Sequence, residues 1–393
     1  MPHGPYWLFS GYFSLYFGIL GVWIPYWPLY LSSLSFSSEM IGSLTALALG
    51  VKVLGPPVWG RLADHEPIGR RPVLIGTSIA TAFLFTLVFF GQSYGWLILF
   101  IFLYSFVHAG PLAIVDTAAM EWVARHDADY GRMRVWGSIG FIVLALGLGP
   151  VVDHYGIPLI LWVILVMHAS MVLIAWRIPI SHHQEASATQ ESRETKVTLF
   201  KHSGIPGFYL SGLMMQFSHS AYYGFYSIHM VDLGFSKTTI GLFWALGVLA
   251  EVFVMAHSRW LLKRVGISTL LTGSLLLATL RWLALASVSH WLPLLFVQLL
   301  HAFTFGAFHI ASVRRVHESA PIDQRATAQG WYHALSFGCG GGLGLLFSGA
   351  WFDQLGAESL YTLMAASSLT GVLVSLQSCR KLERNKPAKT RAC

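Results

Sequence analysis

The chain reads as about a dozen apolar stretches, each about 20 residues or longer, joined by short polar loops. Their spans are 6–32, 39–60, 72–91, 96–123, 132–153, 157–177, 206–232, 236–262, 267–288, 291–316, 324–352 and 357–379. A helix of that length matches a hydrocarbon core of about 30 Å, whereas barrel strands would be shorter and would alternate in polarity. Of the 393 residues 55% are hydrophobic and only 11% charged, which excludes a soluble globular domain. The first stretch begins at Tyr6 without a basic leader and is too long for a signal-peptide core, so it is expected to remain as a helix. Cys339, Cys379 and Cys393 are odd in number and lack metal-ligand spacing. No disulfide framework, metal site or cofactor is therefore expected.

Lysine and arginine in short loops set orientation. Arg61, Arg70, Arg71, Arg125, Arg132, the segment from Arg177 to Lys201, Arg259, Lys263, Arg264, Arg314, Arg315, Arg325 and the C-terminal tail fall on one side, and Lys237 alone on the other. The basic side is expected to be cytoplasmic, with both termini inside. Topology thus accounts for the net charge of +7 without a nucleic-acid partner.

Ser181 to Ser203, rich in Ser, Gln, Glu and His, reads as a flexible linker, and its His182 and His183 as a solvated pair rather than metal ligands. Around it the sequence repeats weakly. Leu34-Ser35-Phe36-Ser37 with Ile41-Gly42 returns as Leu233-Gly234-Phe235-Ser236 with Ile240-Gly241, at a constant offset of 199 residues. The same offset carries Lys52 onto Glu251. Parallel halves of this kind place a transporter's site near mid-membrane at the repeat interface. The expected organisation is an N-terminal bundle at 1–180, a cytoplasmic linker at 181–205 and a C-terminal bundle with a basic tail at 206–393.

Gly60-Arg61-Leu62-Ala63-Asp64 followed by Gly69-Arg70-Arg71 resembles the conformational loop of the major facilitator superfamily, with a two-residue insertion and His65 where a basic residue is usual. Gly60 is expected to allow close helix approach and Asp64 to cap or pair with basic groups on neighbouring cytoplasmic loops; a loop that only fixes topology is the plainer reading. Tyr130-Gly131-Arg132-Met133-Arg134-Val135-Trp136-Gly137 resembles the lactose permease group. Asp116 stands 18 residues before Arg134 and Arg281 20 residues before His301, both at that group's spacing. Thr304 replaces that group's carboxylate one turn after the histidine, the acid of the eighth stretch moves to Glu251, and Phe141 stands in place of a sugar-packing indole. The segments Asp129-Tyr130-Gly131, His219 to Phe225, Ala250-Glu251-Val252, Arg281-Trp282 and Leu300-His301, with Thr304-Phe305 and His309, resemble the phenylpropionate and proton symporters more closely. The resemblance implies an all-α fold of twelve transmembrane helices in two six-helix bundles. It also implies a multi-pass inner-membrane transporter, taken as a monomer, whose partners are lipid, protons and a small organic substrate.

Ionised groups at the bilayer centre cost roughly 2.5–3.5 kcal/mol on insertion scales, so Lys52, Asp116, Glu251 and Arg281 should face a cavity or one another. Glu251 is read as the carrier of the coupling proton, with Arg281 and His301 setting its affinity; a static ion pair between Glu251 and Arg281 is the alternative. Asp116 and Arg134 are the matching substrate-side pair. A substrate carboxylate would take a bidentate bond from Arg134 or Arg281. Phe141, His219, Tyr222, Tyr223 and Tyr226 are the candidates to hold an aromatic ring, against their packing as core or meeting lipid. Glu121 reads as an i,i+4 partner of Arg125, His108 and His309 as cavity-lining or carbonyl-bonded, and Gly340-Gly341-Gly342 with Gly344 as a close-packing helix face. Rival functions are drug and proton antiport, for which Gly149-Pro150 is a partial cue, and sugar or nucleoside symport. A membrane sensor or intramembrane enzyme stands outside transport. No Walker loop or His-Glu-x-x-His helix is present, so neither nucleotide-driven pumping nor metalloprotease chemistry is expected.

Overall fold

The computed structural model describes residues 3–65, 68–180, 204–321 and 324–384. The linker at 181–203, with His182 and His183, and the tail beyond residue 384 lie outside the described residues. The described elements are helical throughout. They are α1 (His3–Ser33), α2 (Ser38–Asp64), α3 (Arg70–Thr86), α4 (Tyr94–His126), α5 (Tyr130–Tyr155), α6 (Leu159–Arg177), α7 (Ile205–Asp232), α8 (Lys237–Ala256), α9 (Ser258–Val265), α10 (Ile267–Ser287), α11 (Trp291–Leu299), α12 (Phe308–Ser319), α13 (Arg325–His333) and α14 (Gly342–Arg384). Two π-helical segments interrupt this order, Ala302–Ala307 between α11 and α12 and Ala334–Gly341 between α13 and α14.

Helix boundaries follow local chemistry. Ser37 caps α2 by accepting from Met40 N, Ser93 caps α4 by accepting from Trp96 N, and Asp129 caps α5 by accepting from Gly131 N and Arg132 N. Gly156 and Gly266 end α5 and α9 at φ 89° and 80°, where a side chain would be strained.

Ten segments among the described residues are long and apolar enough to cross a membrane. One expected stretch matches its helix yet lies outside these ten, and others differ in where they end. The stretch 206–232 forms α7, but it is not among the ten, because serines and histidines such as Ser218, His219 and Ser220 lower its hydropathy while lying buried. The stretch 236–262 stops at Ala256, and α9 begins after a break at His257. The last two stretches run together as Thr327–Leu382, broken at Gly356 by φ 74° and ψ 166°.

The helices group into two compact units, residues 1–189 with 226–248, and 190–225 with 249–393. In the first, α5 crosses α1 with almost no side chain between them. A Cβ at Gly140 would overlap the Ser14 carbonyl oxygen, and one at Gly21 would collide with the Phe141 backbone. In the second, Gly340 and Gly344 bring their segment against Leu213 and Phe217 of α7, as the glycine-rich face suggested. Thr279 and Thr272 of α10 there hydrogen-bond Ser368 and Ser375 of α14 at 3.0 and 2.9 Å. Hydroxyl pairs of this kind hold helices together where lipid supplies no hydrophobic drive.

Gly140→Val is expected to lower the melting temperature of detergent-purified protein, at a cost of roughly 1–3 kcal/mol or more from overpacking. Gly147→Ala, on the same helix with nothing within 4 Å of the added carbon, should leave the melting temperature nearly unchanged.

Candidate functional site

The second unit holds a buried charged network assembled from four segments. Arg281 of α10 is 0% exposed. Its Nε donates to the Val297 carbonyl at 3.1 Å, and its Nη1 donates to His301 Nδ1 at 3.1 Å and to Thr304 Oγ1 at 3.3 Å. The guanidinium carbon lies 4.3 Å from the Tyr222 ring centre and 4.7 Å from that of Trp282, so aromatic faces also carry its charge. His301 precedes the π segment and Thr304 lies within it, a backbone irregularity often found at functional positions.

Donor and acceptor roles follow in sequence. An arginine can only donate, so His301 Nδ1 must accept, which leaves the imidazole proton on Nε2. That Nε2 is 3.8 Å from Glu251 Oε2, within ion-pair range but too long for a direct hydrogen bond. On the other branch, Thr304 accepts from Arg281 and can donate its hydroxyl proton to His219 Nε2, 3.4 Å away. His219 Nδ1 then donates to the Met215 carbonyl at 2.8 Å. Glu251 is therefore joined to Arg281 through a neutral histidine rather than by a direct ion pair. Its side chain is 17% exposed and that of His301 only 5%, which makes Glu251 the open end of the network. Gly306 makes room for it: a Cβ there would press on Glu251 Cγ at 3.1 Å.

The first unit holds the other pair. Tyr130, at the start of α5, donates its hydroxyl to Asp116 Oδ1 of α4 at 2.8 Å. Arg134, one turn further along α5, lies with its guanidinium carbon 3.8 Å from the Phe17 ring centre and 5.5 Å from that of Phe13. Among the described residues Arg134 makes no ion pair. Lys52 of α2 likewise makes none, and its electrostatic neighbours are His108 and His168. His108 is stacked between Tyr16 and Tyr104, whose hydroxyl meets His168 Nε2 at 3.0 Å.

The aromatic candidates separate. Tyr222 is wholly buried beneath Arg281, with its hydroxyl donated to Gln298 Oε1 at 2.7 Å. Phe225 stacks on Phe352, and Tyr226, in the first unit, packs edge-on to Trp244. Phe141 is buried on α5 at 7% exposure, and Tyr223 alone of these rings is partly exposed. Gln298 went unnoticed in the sequence because one amide in the run Phe296-Val297-Gln298-Leu299 carries no motif.

In the loop after α2, Gly69 has φ 77°, and Arg70 bonds both Asp64 and Glu121. Arg71 donates to the Trp176 carbonyl at 3.1 Å. Asp64 thus pairs within its own loop, while Arg70 ties that loop to α4. Glu121 reaches Arg125 at 3.6 Å as expected and Arg70 as well. Among the described residues a Cβ at Gly60 would meet nothing within 4 Å, so the expected close helix approach is not found there.

Membrane-length helices that carry ionisable side chains in their interior, with no strand among the described residues, define a multi-pass helical membrane protein. The chain belongs to the MFS_1-like family of the major facilitator superfamily, whose model matches residues 6–363. It is 28% identical over 370 residues to a protein of Escherichia coli (strain K12) described as a probable 3-phenylpropionic acid transporter, covering 94% of this chain and 96% of that one. It is 26% identical to the maltose permease of Geobacillus stearothermophilus over 383 residues, covering 94% and 93%. The crystal structure of the nucleoside transporter NupG (D323A mutant) superposes with a TM-score of 0.86 at 17% identity, covering 95% of this chain and 99% of that one. The fold is therefore that of the superfamily, and the related proteins are transporters, not enzymes.

Arg281→Lys is expected to destabilise the purified protein by on the order of 2 kcal/mol or more, since an ammonium cannot reproduce the forked contacts to Val297, His301 and Thr304. Glu251→Gln, at the open end of the network, should shift the same melting curve far less.

Proposed function

We propose that this transporter is a proton-coupled symporter that imports a small organic acid, with an aromatic carboxylate such as 3-phenylpropionate as the leading class. The observation that carries the reading is the chain from Glu251 through His301 to Arg281, in which only the carboxylate end is open. A proton taken up by Glu251 removes the negative charge that draws on His301 Nε2–H. Through His301 Nδ1 that change reaches Arg281, whose other bonds tie α10 to Val297 and to the π segment. Loading and release of one proton would thus bias the packing of α8 against the segment from Val297 to Ala307. That is what coupling to alternating access requires.

The substrate anion is assigned to Arg134 rather than Arg281. Arg281 is sealed, with Nε and Nη1 already committed, while Arg134 rests on Phe13 and Phe17 and makes no ion pair among the described residues. Aromatic faces leave a guanidinium's edge donors available, and a carboxylate is their natural bidentate partner. Tyr130 holds Asp116 beside it. The similarity to the probable 3-phenylpropionic acid transporter supports this class of substrate.

In this reading the chain forms twelve membrane-spanning helices with α7 among them and α14 counted as two, divided at Gly356. Its basic loops and both termini face the cytoplasm, it acts as a monomer in the inner membrane, and residues 181–205 link the two sequence halves.

Glu251→Gln is expected to abolish proton-driven accumulation in membrane vesicles while leaving counterflow of the same substrate intact; undiminished accumulation rules out Glu251 as the carrier. Arg134→Gln should raise the half-saturating concentration for aromatic carboxylates by about tenfold or more, the loss of one bidentate ionic contact. A competition screen in which phenylpropionate neither enters nor competes removes the substrate assignment. Substrate extrusion on external acidification shows antiport instead.

A further inference from the structure

The repeat between the two halves of the sequence runs on past the loop after α2, and there the charges invert. At the offset of 199, Lys263 stands where the first half has Asp64. The first half carries two residues more between Asp64 and Gly69 than the second carries between Lys263 and Gly266, so the offset then falls to 197. Gly266 thereby answers Gly69, with φ 80° against 77°, and each glycine opens the next long helix, α10 and α3. Ile267 replaces Arg70, and Glu318 answers Glu121. In the first unit Asp64 and Glu121 neutralise Arg70. In the second the one acid retained, Glu318, is taken by Arg314 at 2.8 Å.

What remains at the start of α10 is positive. Gly266 brings no side chain to cap it, and no hydrogen bond reaches the amides of Ile267, Ser268 and Thr269 among the described residues. A helix of 21 residues presents its positive dipole end there. Arg315 of α12 reaches the same turn, its Nη2 donating to Ser268 Oγ at 2.7 Å. It is only 4% exposed, and its Nε is buried with no hydrogen-bond partner among the described residues. Nε and Nη2 share one edge of a guanidinium, so the unused donor faces the same way as the one on Ser268. Arg315, Lys263 and Arg264 make no ion pair among the described residues, and the last two stand exposed at the end of α9. A guanidinium so enclosed, with one hydroxyl as its partner, lacks a counter-charge.

We propose that the start of α10, with Arg315 against it and Lys263 and Arg264 beside it, binds a phosphate group. A phosphate has oxygens enough for both the arginine edge and the free amides, where a carboxylate has two in all. Bound there it joins α12 to α10, the helix that carries Arg281 about four turns further on. Lipid headgroups at the membrane surface and free phosphate both carry this group, and the test separates them.

The test needs neither a transport substrate nor a proton gradient, so its failure leaves the symport reading untouched. Full-length protein, stripped of lipid in uncharged detergent, is melted against increasing dioleoylphosphatidylglycerol in mixed micelles and, separately, against inorganic phosphate, with ionic strength held constant by potassium chloride. Arg315→Gln, Ser268→Asp and Arg177→Gln each lower the net charge by one, so a general attraction to basic surface changes equally in all three. Arg177 is an exposed arginine at the end of α6. The parent is expected to show a saturable rise in melting temperature, with a half-saturating concentration about tenfold higher in Arg315→Gln and nearly unchanged in Arg177→Gln. Ser268→Asp supplies Arg315 with an anion of its own, so it should melt higher than the parent without ligand and gain nothing from either probe. Saturation by the lipid alone assigns the site to a headgroup, and saturation by inorganic phosphate at the same or lower concentration assigns it to free phosphate. No saturable rise with either probe, or an equal loss in all three variants, overturns the proposal. If Arg315→Gln does not fold, Ser268→Asp decides alone, and a ligand response equal to the parent's then counts against the site.

Discussion

A hydrocarbon core offers no water to a charged group, so each ion inside this protein must be solvated by the protein itself. Arg281 shows how that demand is met for all but its Nη2, which is buried without a hydrogen-bond partner among the described residues. One carbonyl, one imidazole nitrogen, one hydroxyl and two aromatic faces replace its hydration shell. Holding them in place requires α7, α10, α11 and the π segment to keep a common register. The cluster is thus a structural centre of the second unit as well as the core of its candidate chemistry.

The two units solve the same problem differently. In the second, a cation is enclosed and a carboxylate is left open; in the first, Asp116 is tied to a tyrosine while Arg134 is held against phenyl rings. The enclosed cation suits a proton relay, because its charge stays fixed while a neighbour's changes. The cation on phenyl rings suits an anionic guest, because stacking uses its faces and spares its edge.

Much of this was legible before any coordinates. Apolar runs located the helices, while the caps at Ser37, Ser93 and Asp129 and the stops at Gly156 and Gly266 emerged only with the structure. The rare acids and arginines stood out at Asp116, Arg134, Glu251 and Arg281, since such residues are costly in apolar runs. Legibility ended where the outcome depends on which way a side chain turns. Nothing local says that Tyr222 and Tyr223 differ in exposure, that Gln298 receives a tyrosine hydroxyl, or that Glu251 reaches Arg281 only through His301. The stretch 206–232 was legible as α7 even though its buried serines and histidines keep it below the hydropathy of the ten membrane-length segments.

The π segment at Ala302–Ala307 spaces one long helical run differently from the rest. Its i→i+5 bonding takes up one residue more per turn than an α-helix, so the run widens locally while the helices on either side keep their phase. Arg315, which donates to Ser268 Oγ at 2.7 Å, thus stays in register with His301 across the segment. One residue fewer would let the segment close to a plain α-helix. A chain of the same composition, one residue shorter at this point, would keep its apolar runs and the direction of α12 yet lose the widened turn from which Thr304 meets Arg281.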